Sequence, residues 1–200
     1  MTIVRNEESP VALLLIDVMN GFDFEGSEGL VEGARRAAPR ILSLRERAHA
    51  DGVPVIYVND NFGQWRSDFR ATVAACSDPR QPGHAVTRLL TPTDRDYFVL
   101  KPRHSAFYCT ALEVLLARIK ARTLVLGGFA TNICVLFTAN DAHMRGYEVV
   151  VPADCTASNT ESLTQQALEQ MREVSNASTD ESVKLDFGVL RARAKPGSVR

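Results

Sequence analysis

The feature that most constrains this chain is a series of short apolar runs alternating with segments of helical periodicity. The first run, VALLLIDV at residues 11–18, is almost continuously apolar. Such a run suits a strand covered on both faces, since a strand with one wet face would alternate. Further runs follow at residues 54–58, 97–100, 123–126 and 148–151, and a last short strand is expected at 183–187. Between them, helical spacing places Ile41, Leu44 and Ala48 on one face of a helix running to Ala50, with Pro39 as a kink or restart. A weak helix is expected at 69–76 and a short helical turn at 86–90. Amphipathic helices are expected at 111–119 and at 162–174, where Leu163, Ala167, Leu168 and Met171 share a face. Strand and helix in alternation predict an α/β fold: a doubly wound, mostly parallel sheet with helices on both faces. Its crossovers are expected to be right-handed. With 200 residues and no linker or repeat, residues 1–200 read as a single domain.

In such sheets, sites form beyond the carboxyl ends of the strands. Three chemically capable residues fall there: Asp17 after the first run, Lys101 after the third, and Cys134 after the fourth. The last lies in TLVLGGFATNICV, residues 123–135. There an apolar run stops at Gly127 and Gly128, and a helical pattern begins around Cys134. Free amides and the positive end of the helix dipole favour a thiolate at that place, as does a nearby lysine. The expectation is a thiolate that forms below the ordinary thiol value of ~8.5. The plainer reading is a small buried residue filling a strand–helix junction. A base, a cation, a thiol nucleophile and turn amides facing a developing oxyanion are the parts of acyl transfer to water.

The rest of the composition narrows the partners. A formal charge of −1 gives no reason to expect nucleic acid or an anionic membrane. No apolar run approaches the ~20 residues of a membrane helix, and residues 1–10 are too polar for a secretory signal. The four cysteines, Cys76, Cys109, Cys134 and Cys155, form no C-x-x-C pair, so neither a disulfide framework nor a zinc site is expected. The expected location is a reducing cytoplasm, and no cofactor is expected. Cys76, Cys109 and Cys155 lack a paired Asp and Lys and read as structural. Around the site, Phe22, Asn61, Gln64, Trp65 and Phe129 are candidate walls of a substrate pocket, because loops at strand ends carry specificity. His104, close behind Lys101, reads as a surface or capping residue that could face that pocket.

Taken together, LLLIDVMNGF around Asp17, VLKPRHSAF around Lys101 and GGFATNICV around Cys134 make the chain resemble the isochorismatase-like cysteine hydrolases. That family includes nicotinamidase, N-carbamoylsarcosine amidase, ureidoacrylate amidohydrolase and isochorismatase. The resemblance spans nearly the whole chain. It implies Asp17 as general base, Lys101 as its electrostatic partner and Cys134 as nucleophile. It also implies a cis peptide between Phe129 and Ala130, with the amides of Ala130 and Cys134 aimed at the oxyanion. The departures are informative. Met19 stands where many relatives carry Gln. The region NDNFGQWRSD, residues 59–68, lacks the Asp-x-His and further His that hold a metal in nicotinamidases; Phe62 stands two residues after Asp60. No metal is therefore expected, a lone Asp being a poor site.

The resemblance implies a small amide or ureido substrate cleaved at its C–N bond through a Cys thioester. An isochorismatase-type vinyl-ether hydrolase that does not use Cys134 stays open, as does a non-catalytic small-molecule binding protein of the same fold. A homo-oligomer, dimer or tetramer, is also expected. Part of the warrant is the resemblance. The rest is the wide apolar arc of Leu136, Phe137, Ala139, Ala142 and Met144 on one helix, and the lone Trp65 in a polar loop.

Overall fold

The computed structural model describes residues 8–66 and 68–194. All strand pairs are parallel, in the order β3-β2-β1-β4-β5, with a short β6 beside β4. The strands are β1 Val11–Ile16, β2 Val55–Asp60, β3 Tyr97–Lys101, β4 Thr123–Phe129, β5 Glu148–Val150 and β6 Thr156–Ala157. The helices are α1 Glu28–Ala50, α2 Phe69–Cys76, α3 His84–Leu89, α4 Leu112–Ile119, α5 Leu136–Met144, α6 Glu161–Ser175 and α7 Phe187–Arg193.

The continuous apolar run of β1 is explained by its place at the centre of the sheet. Val11, Leu13 and Leu15 belong to a core with α1, where Leu30, Val31, Ile41 and Leu44 meet them, closed by Phe187 of α7. Ala12, Leu14 and Ile16 point the other way, to Leu112 and Leu116 of α4, Ala139 of α5, and Leu168 and Met171 of α6. Successive strand side chains alternate faces, so a strand buried on both sides has no polar positions to spare.

Several boundaries differ from the sequence-based expectation, each for a physical reason. α1 is continuous across Pro39, with no restart there. The proline sits on the exposed face, and burial along the opposite face of a 23-residue helix outweighs the one lost hydrogen bond. β2 continues past Val58 to Asn59 and Asp60, which pair with Leu100 and Lys101. β4 continues through both glycines, which pair with Leu15 and Ile16 of β1. At Gly128, with φ +122°, a Cβ would lie 1.9 Å from the Ile16 carbonyl oxygen, so only glycine lets the two backbones approach this closely.

The expected strand at 183–187 is not formed. Residues Ser182–Lys184 make a 3-10 turn and α7 begins at Phe187. Asp154 accepts hydrogen bonds from the amide and hydroxyl of Ser182, and Asp186 caps α7 through the Val189 amide. These local bonds satisfy backbone that would otherwise need a sheet edge. The chain is helical to Arg193, and residues 195–200 lie outside the described residues, as do residues 1–7.

Gly128→Ala tests the packing at the heart of the sheet. A methyl group forced against backbone, in a conformation that L residues rarely adopt, is expected to cost about 3 kcal/mol or more. Urea unfolding reads this directly; a midpoint equal to that of the parent protein would show that the strands have room to part.

Candidate active site

The chain passes from β1 through β2 to β3 on one side of the sheet, then crosses to the other side of β1 to lay down β4. The crossing opens a crevice at the carboxyl ends of β1 and β4, the place where such sheets hold ligands. Asp17 follows β1 directly, in left-handed conformation at φ +50°, which turns its side chain back across the sheet edge. Lys101 ends β3, two strands away, and its long side chain spans β2 to reach the same point. Cys134 arrives from the far side, in the turn between β4 and α5.

Lys101 is fully buried, and its Nζ lies 2.8 Å from Asp17 Oδ2, 3.5 Å from Asp60 Oδ2 and 3.5 Å from Cys134 Sγ. The second carboxylate oxygen of Asp17 accepts the Asp60 amide at 2.6 Å. The structure thus brings together the three residues picked out by sequence and adds Asp60, whose side chain is 27% exposed where that of Asp17 is 7%. The apolar run expected as the second strand stops at Val58, two residues short of Asp60. Asp60 satisfies the same criterion as the others, a polar group at the carboxyl end of a strand.

Burial disfavours the ammonium of Lys101, but Asp17, Cys134 and Asp60 together hold its proton above the ordinary lysine value. Burial also raises the Asp17 carboxyl, against the pull of Lys101, the Cys134 thiol and the Asp60 amide. At Cys134, burial and then the Asp17 carboxylate push the thiol well above its ordinary range, and Lys101 recovers only part of this. This runs against the expectation of a thiolate formed below the ordinary thiol value. A helix terminus and a lysine favour the anion, but desolvation of the sulfur and the carboxylate beside it push toward the neutral thiol. Cys76 and Cys155 are buried thiols pushed up to about 11 and about 12 by desolvation, while Cys109 is exposed.

The turn that carries Cys134 is a π-turn, Thr131–Val135, and the Phe129–Ala130 peptide before it is cis. The Ala130 carbonyl accepts from the amides of Ile133 and Val135, passing over that of Cys134 between them. Neighbours not anticipated from the sequence hold this turn. Thr131 and Thr156 share a hydroxyl hydrogen bond at 2.8 Å, and the Thr156 hydroxyl donates to Gly128 O. The Asn132 amide donates to Ser158 Oγ. Thr138 donates to the Cys134 carbonyl and accepts from Ala106, tying the Cys134 turn to the loop after Lys101. Asn59, fully buried, donates to and accepts from the backbone of Met19 and so fixes the loop after Asp17. Its signal in the sequence was a polar residue closing an apolar run.

A cleft of about 590 Å³ opens at Asp60, walled by Asn61, Gly63, Trp65, Pro102, Arg103, His104, Tyr108 and Cys109. Of the expected wall residues, Asn61 and Trp65 line it. His104 does too, its ring 5.4 Å from that of Phe137. Gln64 is exposed and lies off the cleft. Phe22 and Phe129 are not walls: both are sealed in the core, ring centroids 6.0 Å apart, where they support the loops from beneath. Met19, in the place where many relatives carry Gln, is likewise buried in the core. The nicotinamidase-type metal does not fit these residues. Asp60 stands without a histidine beside it in sequence, Phe62 brings no ligand, and the described residues hold no cluster of three metal-binding side chains.

Comparison with known proteins places the chain. The isochorismatase domain model matches residues 11–182, and the protein belongs to the isochorismatase family. It is 43% identical over 163 residues to the isochorismatase family protein YaaI of Bacillus subtilis, covering 82% of this chain and 89% of that one. It is 30% identical to the ureidoacrylate amidohydrolase RutB of Methylobacterium radiotolerans, across 72% of this chain and 66% of that one. The solved N-carbamoylsarcosine amidase from Thermoplasma acidophilum superposes with a TM-score of 0.69 at 26% identity, covering 88% of this chain and 98% of that one. Relatives of this chain thus include amidohydrolases acting on non-peptide C–N bonds.

The raised Cys134 thiol has a measurable consequence. Alkylation of Cys134 by iodoacetamide, followed by peptide mapping, is expected to accelerate with pH without a plateau up to about pH 9, because the neutral thiol dominates below its raised value. The exposed Cys109 is expected to react sooner in the substrate-free protein. A Cys134 rate that levels off near neutrality would restore the pre-formed thiolate.

Proposed function

We propose that the protein is a cysteine hydrolase that cleaves the C–N bond of a small amide or ureido compound. The observation that carries this reading is a single buried ammonium, Lys101, touching both a carboxylate and a thiol beside an open cleft. Cys134 Sγ attacks the carbonyl carbon, and its proton passes to Asp17 as the S–C bond forms. A thiol with a raised pKa is compatible with this. The proton leaves only as attack proceeds, onto a carboxylate whose basicity burial has itself raised. Lys101 compensates the negative charge wherever it sits along that path.

The carbonyl oxygen becomes an oxyanion held by the amides of Ala130 and Cys134. The π-turn supports this assignment, because the Ala130 carbonyl bonds the amides on either side of Cys134 and leaves that one aside. Collapse of the intermediate breaks the C–N bond. The nitrogen takes the proton from Asp17 and departs as ammonia or an amine. Water, deprotonated by Asp17, then resolves the thioester and returns the thiol.

Ammonia release from a panel of primary carboxamides and N-carbamoyl amino acids tests the reading. Cys134→Ala is expected to abolish it, and Asp17→Asn, which keeps the shape but cannot take the proton, to lower kcat by ~10²–10⁴-fold. Near-normal turnover in either variant would remove that residue from the mechanism. Turnover is expected to survive dialysis against EDTA, since residues 59–68 offer no histidine and their two carboxylates, Asp60 and Asp68, are far apart in sequence. Pyruvate release from isochorismate, unaffected by Cys134→Ala, would favour the vinyl-ether reading instead.

The enzyme is further proposed to act in the cytoplasm as a homo-oligomer. No helix among the described residues is long and apolar enough to cross a membrane. Trp65, Phe137 and Met144 are 78%, 51% and 74% exposed, which is apolar surface suited to a second copy. Sedimentation across a dilution series is expected to show a dimer or tetramer; a fully active monomer at the highest concentration would end this part of the proposal.

A further inference from the structure

From the geometry around Lys101 we infer that Asp60 is a substrate-reading residue: its carboxylate accepts the N–H of the scissile amide and selects for substrates that carry one. This inference rests on the cysteine-hydrolase reading and adds a residue to it.

The argument is an accounting of donors and acceptors. An ammonium has three N–H donors and no acceptor. Around Lys101 Nζ stand three acceptors, Asp17 Oδ2, Asp60 Oδ2 and Cys134 Sγ, all within 3.5 Å. Lys101 is therefore fully committed to the site itself and has nothing to offer a substrate. Asp17 is also committed, with the Asp60 amide on one oxygen and Lys101 on the other, and it must take the thiol proton. With the substrate carbonyl carbon against Cys134 and its oxygen toward the amides of the turn, the nitrogen needs an acceptor elsewhere. Asp60 is the carboxylate of this cluster that walls the cleft. A carboxylate has about four lone-pair positions, and of those of Asp60 one faces Lys101 and one accepts the Phe62 amide at 2.7 Å. Acceptor capacity remains on a group that opens to the ligand. The amine leaves on the same side, where a neighbouring carboxylate favours its protonated form.

The competing account makes Asp60 only a turn former, through its bond to Phe62. Asp60→Asn separates the two, because an asparagine oxygen can accept from the Phe62 amide while the charge opposite Lys101 is lost. The readout is a ratio between matched probes that differ in bearing N–H. Cys134 alkylation rates are measured with iodoacetamide and with methyl iodoacetate. For any carboxamide of the panel that turns over, kcat/KM is compared with that of its methyl ester. Changes in thiol reactivity or folding affect both members of a pair and cancel. Asp60→Asn is expected to lower the amide-to-ester ratio by roughly tenfold to a hundredfold, the range for a hydrogen bond to a charged group, and Asp60→Glu to recover part of it. An unchanged ratio would reduce Asp60 to a turn former and overturn the inference. Failure of the underlying reading looks different: ammonia release that persists in Cys134→Ala, whatever the ratio, overturns both.

Discussion

A lysine ammonium without water is the condition to which the rest of the site answers. Taking such a charge out of solvent is costly unless it is paired and hydrogen-bonded. Here the pairing comes from the ends of separate strands and from the Cys134 turn: Asp17 after β1, Asp60 at the end of β2 and Cys134 after β4 all face Lys101 at the end of β3. Removing one partner would leave charge uncompensated at the sheet edge. Electrostatic necessity and the proposed mechanism therefore point the same way, since two of the groups that pair with Lys101, Asp17 and Cys134, are the ones proposed to exchange a proton.

The fold supplies this cluster through strand order. A chain that lays β2 and β3 on one side of β1 and then crosses to place β4 on the other opens a crevice at the carboxyl ends of the central strands. Parallel pairing then aligns every strand end at that crevice. The close approach of β4 to β1 at Gly128 brings the Cys134 turn within reach of Asp17. The hydroxyls of Thr131, Thr138, Thr156 and Ser158 replace solvent as hydrogen-bond partners along the turn. Phe22 and Phe129 are buried in the core with their rings 6.0 Å apart, and Trp65, His104 and Tyr108 wall the cleft that opens at Asp60. Fixed donors are what the proposed oxyanion requires, because they need not reorganise as charge appears.

Much of this was legible in the residue pattern. Both-face burial of β1 showed as an unbroken apolar run. The alternation of strands and helices specified a parallel sheet, and the edge rule for such sheets singled out Asp17, Lys101 and Cys134. The failures share a cause. The strand at 183–187 was read from local apolarity, but Asp154 and Asp186 satisfy that backbone from elsewhere. Asn59 and Asp60 lie beyond the apolar run because they are polar, yet tertiary partners at Met19, Asp17 and Lys101 make polar residues acceptable inside β2. Phe22 and Phe129 sit near the site in sequence, but their side chains turn into the core.

The sequence by itself determined the layers, the edge at which chemistry gathers and the kinds of group delivered there, because these depend on periodicity and chain order. Only the tertiary structure sets the direction in which the protonation of those groups is pushed. Whether Cys134 holds its proton depends on its burial and its distance from Asp17, weighed against Lys101. Those quantities are set by strands that pair across the sheet, and electrostatic energy follows separation in space and exposure to water, neither of which is written in the order of residues along the chain.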